Sequence, residues 1–381
     1  MRKTILWMSC LCCTAALLSC GGTPSAAPAD LILRGGRILT MDPELPEAEA
    51  VAVRGHTILA VGAAGEVESF RGPSTRVLDL EGKLVVPGLI DGHGHFMSLG
   101  ESLAGIDLRE APTWEAIVAL VEQAARQREP GEWIVGRGWH QDKWQRPPVP
   151  EVEGLPVHTS LSRVSPDNPV LLIHVSGHGV FVNARALDLL GFSRDTPDPP
   201  GGDIVRDEFG KPTGMLRETA QDPARAALAL HRSRRPAAEI EAELREHVRL
   251  AAEEAVSHGI TSFHDMGETF ETIDLLKTMA AEGNLPLRLW VAVQEPAEVL
   301  EWKLRDYRMI AFGGGFLTVR AIGEKVLDGA LGTHGGWLLE PYSDKPDSVG
   351  FNVTPVSDIR RSAELAVQHG FQMAIQGIGD R

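Results

Sequence analysis

Beyond residue 20 the 381-residue chain contains no cysteine, since Cys10, Cys12, Cys13 and Cys20 are its only four. That excludes disulfides, a thiol nucleophile and a thiolate metal site from residues 21–381. Also missing is any sustained run of Lys and Arg. The chain carries 37 basic against 52 acidic residues, a net charge of −15. Nucleic acid is therefore excluded as a partner, because binding phosphates requires a basic face. The nearest approach, HRSRR at 231–235, runs into an acidic helical pattern and reads as a solvated helix start. No short-period repeat is present, and the only low-complexity stretch is near the N-terminus. The remainder, 43% apolar and 23% charged, is ordinary globular composition for one large core with a smaller satellite.

The first residues have the pattern of an export signal: MRK is positive, ILWMSCLCCTAALL is apolar and LLSC offers a small-residue cleavage site. The apolar run is too short for a stop-transfer helix. LLSC resembles a bacterial lipobox, which implies a signal peptide over 1–19 and a lipidated Cys20 as the mature N-terminus. Plain cleavage with an incidental cysteine is the alternative. Residues 20–29, with GGTPSAAPA, read as a flexible tether. The expectation is an exported lipoprotein whose lipid anchor holds it to the outer or cytoplasmic membrane, facing the periplasm or the exterior.

After the tether, DLILRGGRILTMD, AVAVRGHTILAVG and TRVLDLEGKLVVPG predict a small antiparallel sheet over 30–86. Residues 87–381 then alternate helical patterns with short apolar runs. The helix PAAEIEAELREHVRLAAEEAVSHG leads into ITSFHDM, and further helices into LRLWVAV, LTVRAIGEKVLDG and FQMAIQ. Such alternation predicts a parallel sheet with crossover helices, and in a barrel the chemistry sits at the C-terminal strand ends. Residues 100–235 interrupt it with Pro- and Gly-rich turns. They predict an insertion that shapes a substrate pocket, with WIVGRGW and PVLLIHVSGHGVFV as its strands.

The chemical centre is VVPGLIDGHGHF, residues 85–96. His93 and His95 are two apart on a strand, so both rings project from one face and can grip an ion of the zinc type. A bare His-x-His pair, taken alone, is weak evidence and is more often two ordinary histidines. Here it ends an apolar strand, follows Pro-Gly and lies among glycines that leave room.

PGLIDGHGH resembles the metal-dependent amidohydrolase superfamily, in the large branch that includes proteins similar to N-substituted formamide deformylase. GRGW (136–139), SGH with VNARAL (176–187), PTGMLRE (212–218), GITSFHDMG (259–267), EKVLDGALGT (324–333) and GFQMAIQGIGD (370–380) extend the likeness from about residue 30 onward. The resemblance implies an α/β fold, a (β/α)8 barrel, with a small β-sandwich and an insertion after the first barrel strand. It implies one or two divalent ions, zinc foremost, held by His93, His95 and a carbamylated Lys325. It also implies a metal-activated water that hydrolyses a non-peptide C–N bond in a small amide, formamide or cyclic amide. His178 and Asn183 match family positions in the insertion, and His264 ends the second barrel strand. Each either serves the substrate or is a buried side chain satisfied by backbone groups. Trp139 reads as a pocket wall or part of the insertion core, and Asp328 as a brace for the lysine loop.

Two departures stand against this. Gln376 occupies a position where the family carries a histidine ligand, and an amide oxygen is a poor zinc ligand. By resemblance only about five of the eight strands are present, and the expected catalytic aspartate of the last strand is not in the sequence. A hydrolase of the family therefore competes with a degenerate, non-catalytic binding lipoprotein. Nothing in the sequence names the substrate or the oligomeric state.

Overall fold

A computed structural model describes residues 27–381. The leader 1–19 and Cys20 lie outside the described residues. Among those described, no helix is long and apolar enough to cross a membrane. The described chain divides between Pro87 and Gly88 into two compact units.

The first unit is a five-stranded sheet of β1 (Leu31–Leu39), β2 (Glu47–Arg54), β3 (Thr57–Gly62), β4 (Arg76–Asp79) and β5 (Leu84–Val85). β1, β2 and β3 pair antiparallel, as the Gly-containing turns predict. The predicted wholly antiparallel sheet is corrected on the other side, where β4 and β5 run parallel to β1. The reason is the crossover through the helix Ala64–Glu68, which returns the chain in the original direction. Its two small cores gather around Ile32 with Val67 and around Ile38 with Leu80. Among the described residues this unit is one sheet with the helix Ala64–Glu68 packed on it, and no second sheet faces it.

The second unit opens with β6 (Leu89–Gly94), followed by the helix Phe96–Ala104. The insertion comes next, as β7 (Ile106–Asp107), β8 (Ile134–Trp139), the two-residue strands β9 (Glu151–Val152) and β10 (Leu155–Pro156), β11 (Val170–His174), β12 (Gly179–Val182), β13 (Gly202–Arg206) and β14 (Pro212–Glu218). Six of these form one mixed sheet, ordered β13-β14-β12-β11-β8-β7. β8, β11 and β12 are strands the sequence predicts. β13 and the start of β14 fall and pair within residues 195–214, whose Pro and Gly content predicts turns. The helix Trp114–Ala125, whose Trp114, Ile117, Val118 and Val121 are buried, is not predicted by the sequence pattern.

After the helices Asp222–Ser233 and Ala237–Ser257 the main sheet resumes with β15 (Ile260–Glu268), β16 (Arg288–Val293), β17 (Met309–Ala311), β18 (Leu317–Val326) and β19 (Gln372–Gln376). Five of its strands are parallel, in the order β6-β15-β16-β18-β19, and β17 adds a short antiparallel bridge to β18. One face packs under the helices Ala237–Ser257, Phe270–Ala281, Ala297–Lys303 and Val356–His369. That core includes Val248, Ile273, Leu300 and Leu365 against Leu289, Val291, Val319 and Ile322. The described strands close no ring. β6 and β19 are both edges, and Leu89, Ile90 and Ile375 on them are exposed.

Candidate metal centre

Three side chains converge at the C-terminal ends of β6 and β18. Their ligand atoms, one each from His93, His95 and Glu324, all lie within 4.8 Å of one another. His93 Nε2 is 3.4 Å and His95 Nε2 3.8 Å from Glu324 Oε2. Local chemistry fixes the two rings. Asp91 Oδ1 accepts the His93 N–H at 3.0 Å, closing the turn at the end of β6. Gly94 permits a close approach, since a Cβ there would stand 2.5 Å from the Phe263 ring. His95 then caps the helix Phe96–Ala104. Asp265, fully buried on β15, accepts from the N–H of Met97 at 3.4 Å and ties that helix start to the sheet. Burial lowers the pKa of His95, opposed by the charge of Glu324 and reinforced by Arg137. A neutral imidazole is the form that ligates.

The expected carbamylated lysine is corrected. Lys325 turns its Nζ to the Glu295 carbonyl. Burial lowers its pKa, and the acids that counter this, Asp358, Glu295 and Glu298, lie in or beside the helical layer. Strand geometry is the cause. Lys325 is registered beside Ile375 of β19, so its side chain shares the outer face, and alternation gives Glu324 to the histidine side. The lysine is on the wrong face of its strand. Glutamate supplies two carboxylate oxygens directly, without capturing CO₂.

Gln376 is no ligand here. Its Nε2 lies 3.2 Å from His178 Nε2 and donates to the Asp328 carbonyl at 3.1 Å. His178 projects from the insertion, with Nδ1 2.9 Å from Glu218 Oε2. Glu218 is buried and held tightly: its Oε1 accepts from Thr333 at 3.3 Å, and a Cβ at Gly329 or Gly335 would strike it. Burial alone would lower the His178 pKa, but the hydrogen bond and charge of Glu218 lift it above the ordinary histidine value. Asp328 collects the N–H groups of Trp337, Ile378 and Gly379 at 2.6–2.8 Å, bracing the loop after β18 against the turn after β19.

For Asn183 and Trp139 the buried alternative holds, and neither serves as a substrate residue. Asn183 is fully buried and wholly committed. Its Oδ1 accepts from Val170 and Ala186, and its Nδ2 donates to Ser165 and Asn168. It caps a helix and binds the insertion together. Trp139 is 1% exposed, donates to the Leu172 carbonyl at 3.0 Å and stacks on Trp144, so it is core. His264 tilts against Trp290, its registered neighbour on β16, and is outside the metal group.

Neither Glu324 nor Glu218 stands out from the sequence as a site residue. Glu324 stands next to the lysine it displaces, and only the strand's facing distinguishes the two. Glu218 closes PTGMLRE, a stretch noted for its likeness but given no role.

The sequence pattern of the amidohydrolase family matches residues 76–381. The chain belongs to the amidohydrolase family. It is 31% identical over 376 residues to the protein LONG AFTER FAR-RED 3 of Arabidopsis thaliana, covering 94% of this chain and 60% of that one. N-substituted formamide deformylase of Arthrobacter pascens is 37% identical over 193 residues, 50% of this chain and 34% of its own. Among solved structures, an uncharacterized metal-dependent hydrolase from Pyrococcus horikoshii OT3 aligns with a TM-score of 0.65 at 26% identity. That alignment covers 92% of this chain and 65% of the other. This amidohydrolase thus spans about three-fifths of the length of the first curated relative it matches.

Proposed function

We propose that this amidohydrolase hydrolyses a non-peptide C–N bond of a small molecule, an amide, formamide or cyclic amide, with a divalent ion held by His93, His95 and Glu324. The observation that carries the reading is the convergence of these three groups at the strand ends. Two imidazoles and a carboxylate are a donor set that suits zinc. When bound there, the ion supplies Lewis acidity toward a carbonyl and a water of lowered pKa.

The chain's own residues do the rest. Glu324 brings a nearly buried negative charge between two histidines. His178 is oriented by Glu218 through Nδ1, which leaves Nε2 as the atom where a proton is taken or given. Gln376 Nε2 lies 3.2 Å from that same nitrogen, so a substrate or water must replace the amide before His178 can act. Export and anchoring through Cys20 remain part of the proposal, as does membership of the five parallel strands in a (β/α)8 barrel.

Gln376 favours a second reading, a binding lipoprotein without catalysis, because its side chain is engaged by Asp328 and His178. The test is turnover by the purified, zinc-loaded protein on a panel of N-substituted formamides, linear amides and cyclic amides. Hydrolysis of at least one class, abolished by chelation and by His95→Ala, is the expected result. Saturable binding of such compounds without turnover would establish the alternative.

A further inference from the structure

Glu218 stands in a backbone conformation that residues with a side chain rarely adopt, with a φ of 48°. Such a residue keeps its place only where its surroundings hold it. One hold comes from the insertion, where the Glu218 N–H donates to the His178 carbonyl at 2.9 Å. The others come from the loop after β18. Thr333 donates to Glu218 Oε1, and Gly329 and Gly335 crowd against that same oxygen. How this loop is seated on the insertion therefore decides where the Glu218 carboxylate meets His178.

The loop is a bonded body, not a slack connection. Gly329 and Phe351 donate to the Gly335 carbonyl at 3.0 and 3.1 Å, Leu338 to that of Val349 at 2.8 Å and Tyr342 to that of Ser348 at 3.0 Å. A pull at its tip is thus passed on to Thr333 and the two glycines. Among the described residues three polar contacts join the loop to the insertion. Two use neutral donors at 3.3 Å, Gln141 Nε2 to the Gly332 carbonyl and Thr333 to Glu218. The third is the ion pair of Lys345 Nζ with Glu153 Oε1. With both partners charged and only partly exposed, it is the strongest of the three.

Glu153 is placed to receive that lysine. It sits at the tip of the β9–β10 hairpin, where Glu153 and Gly154 have φ of 53° and 73°. Its Oε2 is 2.8 Å from Arg217 Nη2, and Arg217, 2% exposed, also reaches Asp203 at 3.3 Å. Two carboxylates share one guanidinium, and Lys345 supplies the second positive charge. The other acid near Lys345 is Asp347 at 3.9 Å, exposed and in the same loop. Burial raises the Glu153 pKa, but Lys345 and Arg217 together hold it below the ordinary glutamate value. Arg217 directly precedes Glu218 on β14, so the ion-pair group is one residue from the carboxylate that orients His178.

We propose that Lys345 is a positioning residue: paired with Glu153, it fastens the loop after β18 to the insertion and so keeps Glu218 on His178. The proposal rests on the reading of His178 as the proton-handling group for its effect on turnover, though not for the fastening itself. Lys345 bonds to neither His178 nor the three candidate ligands, and acts only through the loop.

The test is an NMR titration of the His178 ring in the full chain, beside hydrogen exchange of the loop amides, for the parent, Lys345→Met and Lys345→Arg. Glu218 lifts the His178 pKa against burial, so loosening Glu218 lowers it. In Lys345→Met that pKa is expected to fall by about 0.5 pH units or more, and the amides of 329–336 to exchange at least about tenfold faster. Lys345→Arg, which keeps the charge and can fork onto Glu153, should restore both. Lys345→Gln, a donor without the charge, replaces the methionine variant if that one melts early, with the same two changes expected. Parent-like titration and exchange in the uncharged variant overturn the proposal, as does an arginine variant that behaves like the uncharged one. Hydrolysis of the amide panel by the zinc-loaded variants separates the two readings. A lowered His178 pKa with undiminished turnover would sink the proton-handling role and leave the fastening standing. Turnover lost while the His178 titration stays unmoved would overturn the fastening.

Discussion

At the scale of single residues, the site is built from tightly matched charges. Glu218 and His178 are matched. The carboxylate is buried between two glycines and a threonine, and it holds the imidazole's pKa above its ordinary value. For a histidine raised in this way, the stabilisation is present below the unfolded pKa and is lost as pH rises through the folded one. Glu218→Gln should therefore lower the His178 pKa, read from its ring signals in an NMR titration, and should remove that stabilisation from the acidic side. An unchanged pKa would mean that Glu218 does not orient the ring. The residue scale was also where sequence reasoning was weakest. Two neighbours, Glu324 and Lys325, each offer a plausible metal ligand, and the choice between them is a matter of which face of β18 each occupies.

At the scale of elements, the first helix after β6 carries the consequences of packing into the site. The helix Phe96–Ala104 lies against Ala237–Ser257 so closely that a Cβ on Gly100 would stand 2.0 Å from the His247 carbonyl. Gly100→Ala should cost about 1–3 kcal/mol in urea unfolding, as overpacking against a backbone does. A second element effect is electrostatic. Asp265, fully buried, and Glu268 beside it both have raised pKa values, chiefly through burial, and for Glu268 also through the charge of Asp265. Acids raised in the folded state keep protons that the unfolded chain releases, so stability falls as pH climbs above the ordinary carboxylate range. Glu268→Gln should flatten that fall in metal-free protein between about pH 5 and pH 8, and a slope identical to the parent's would contradict it. The strand-and-helix alternation of the main sheet was legible in the sequence, because helix periodicity and short apolar runs follow directly from what each element buries. In the insertion, β13 and β14 were not legible: their Pro- and Gly-rich flanks carry turn chemistry, and their burial comes from tertiary pairing, β14 with β12 and β13 with β14.

At the scale of the whole molecule, the five parallel strands leave two edges among the described residues, and exposed Leu89, Ile90 and Ile375 lie along them. Unpaired parallel edges with apolar side chains invite further pairing. The 381-residue chain should associate with rising concentration in sedimentation experiments, and lysine at positions 90 and 375 should suppress it; a monomer at every concentration would contradict that. The metal reading joins all three scales, since β6 and β18 must lie in one sheet, with β15 and β16 between them, for the pair His93 and His95 to meet Glu324. Its most direct test is zinc binding by the parent protein, Lys325→Met and Glu324→Gln, with affinity measured by titration and content by elemental analysis. One ion per chain in the parent and in Lys325→Met, with affinity at least about 100-fold weaker in Glu324→Gln, is the predicted result. Parent-like binding by Glu324→Gln, or loss of the ion in Lys325→Met, would contradict it.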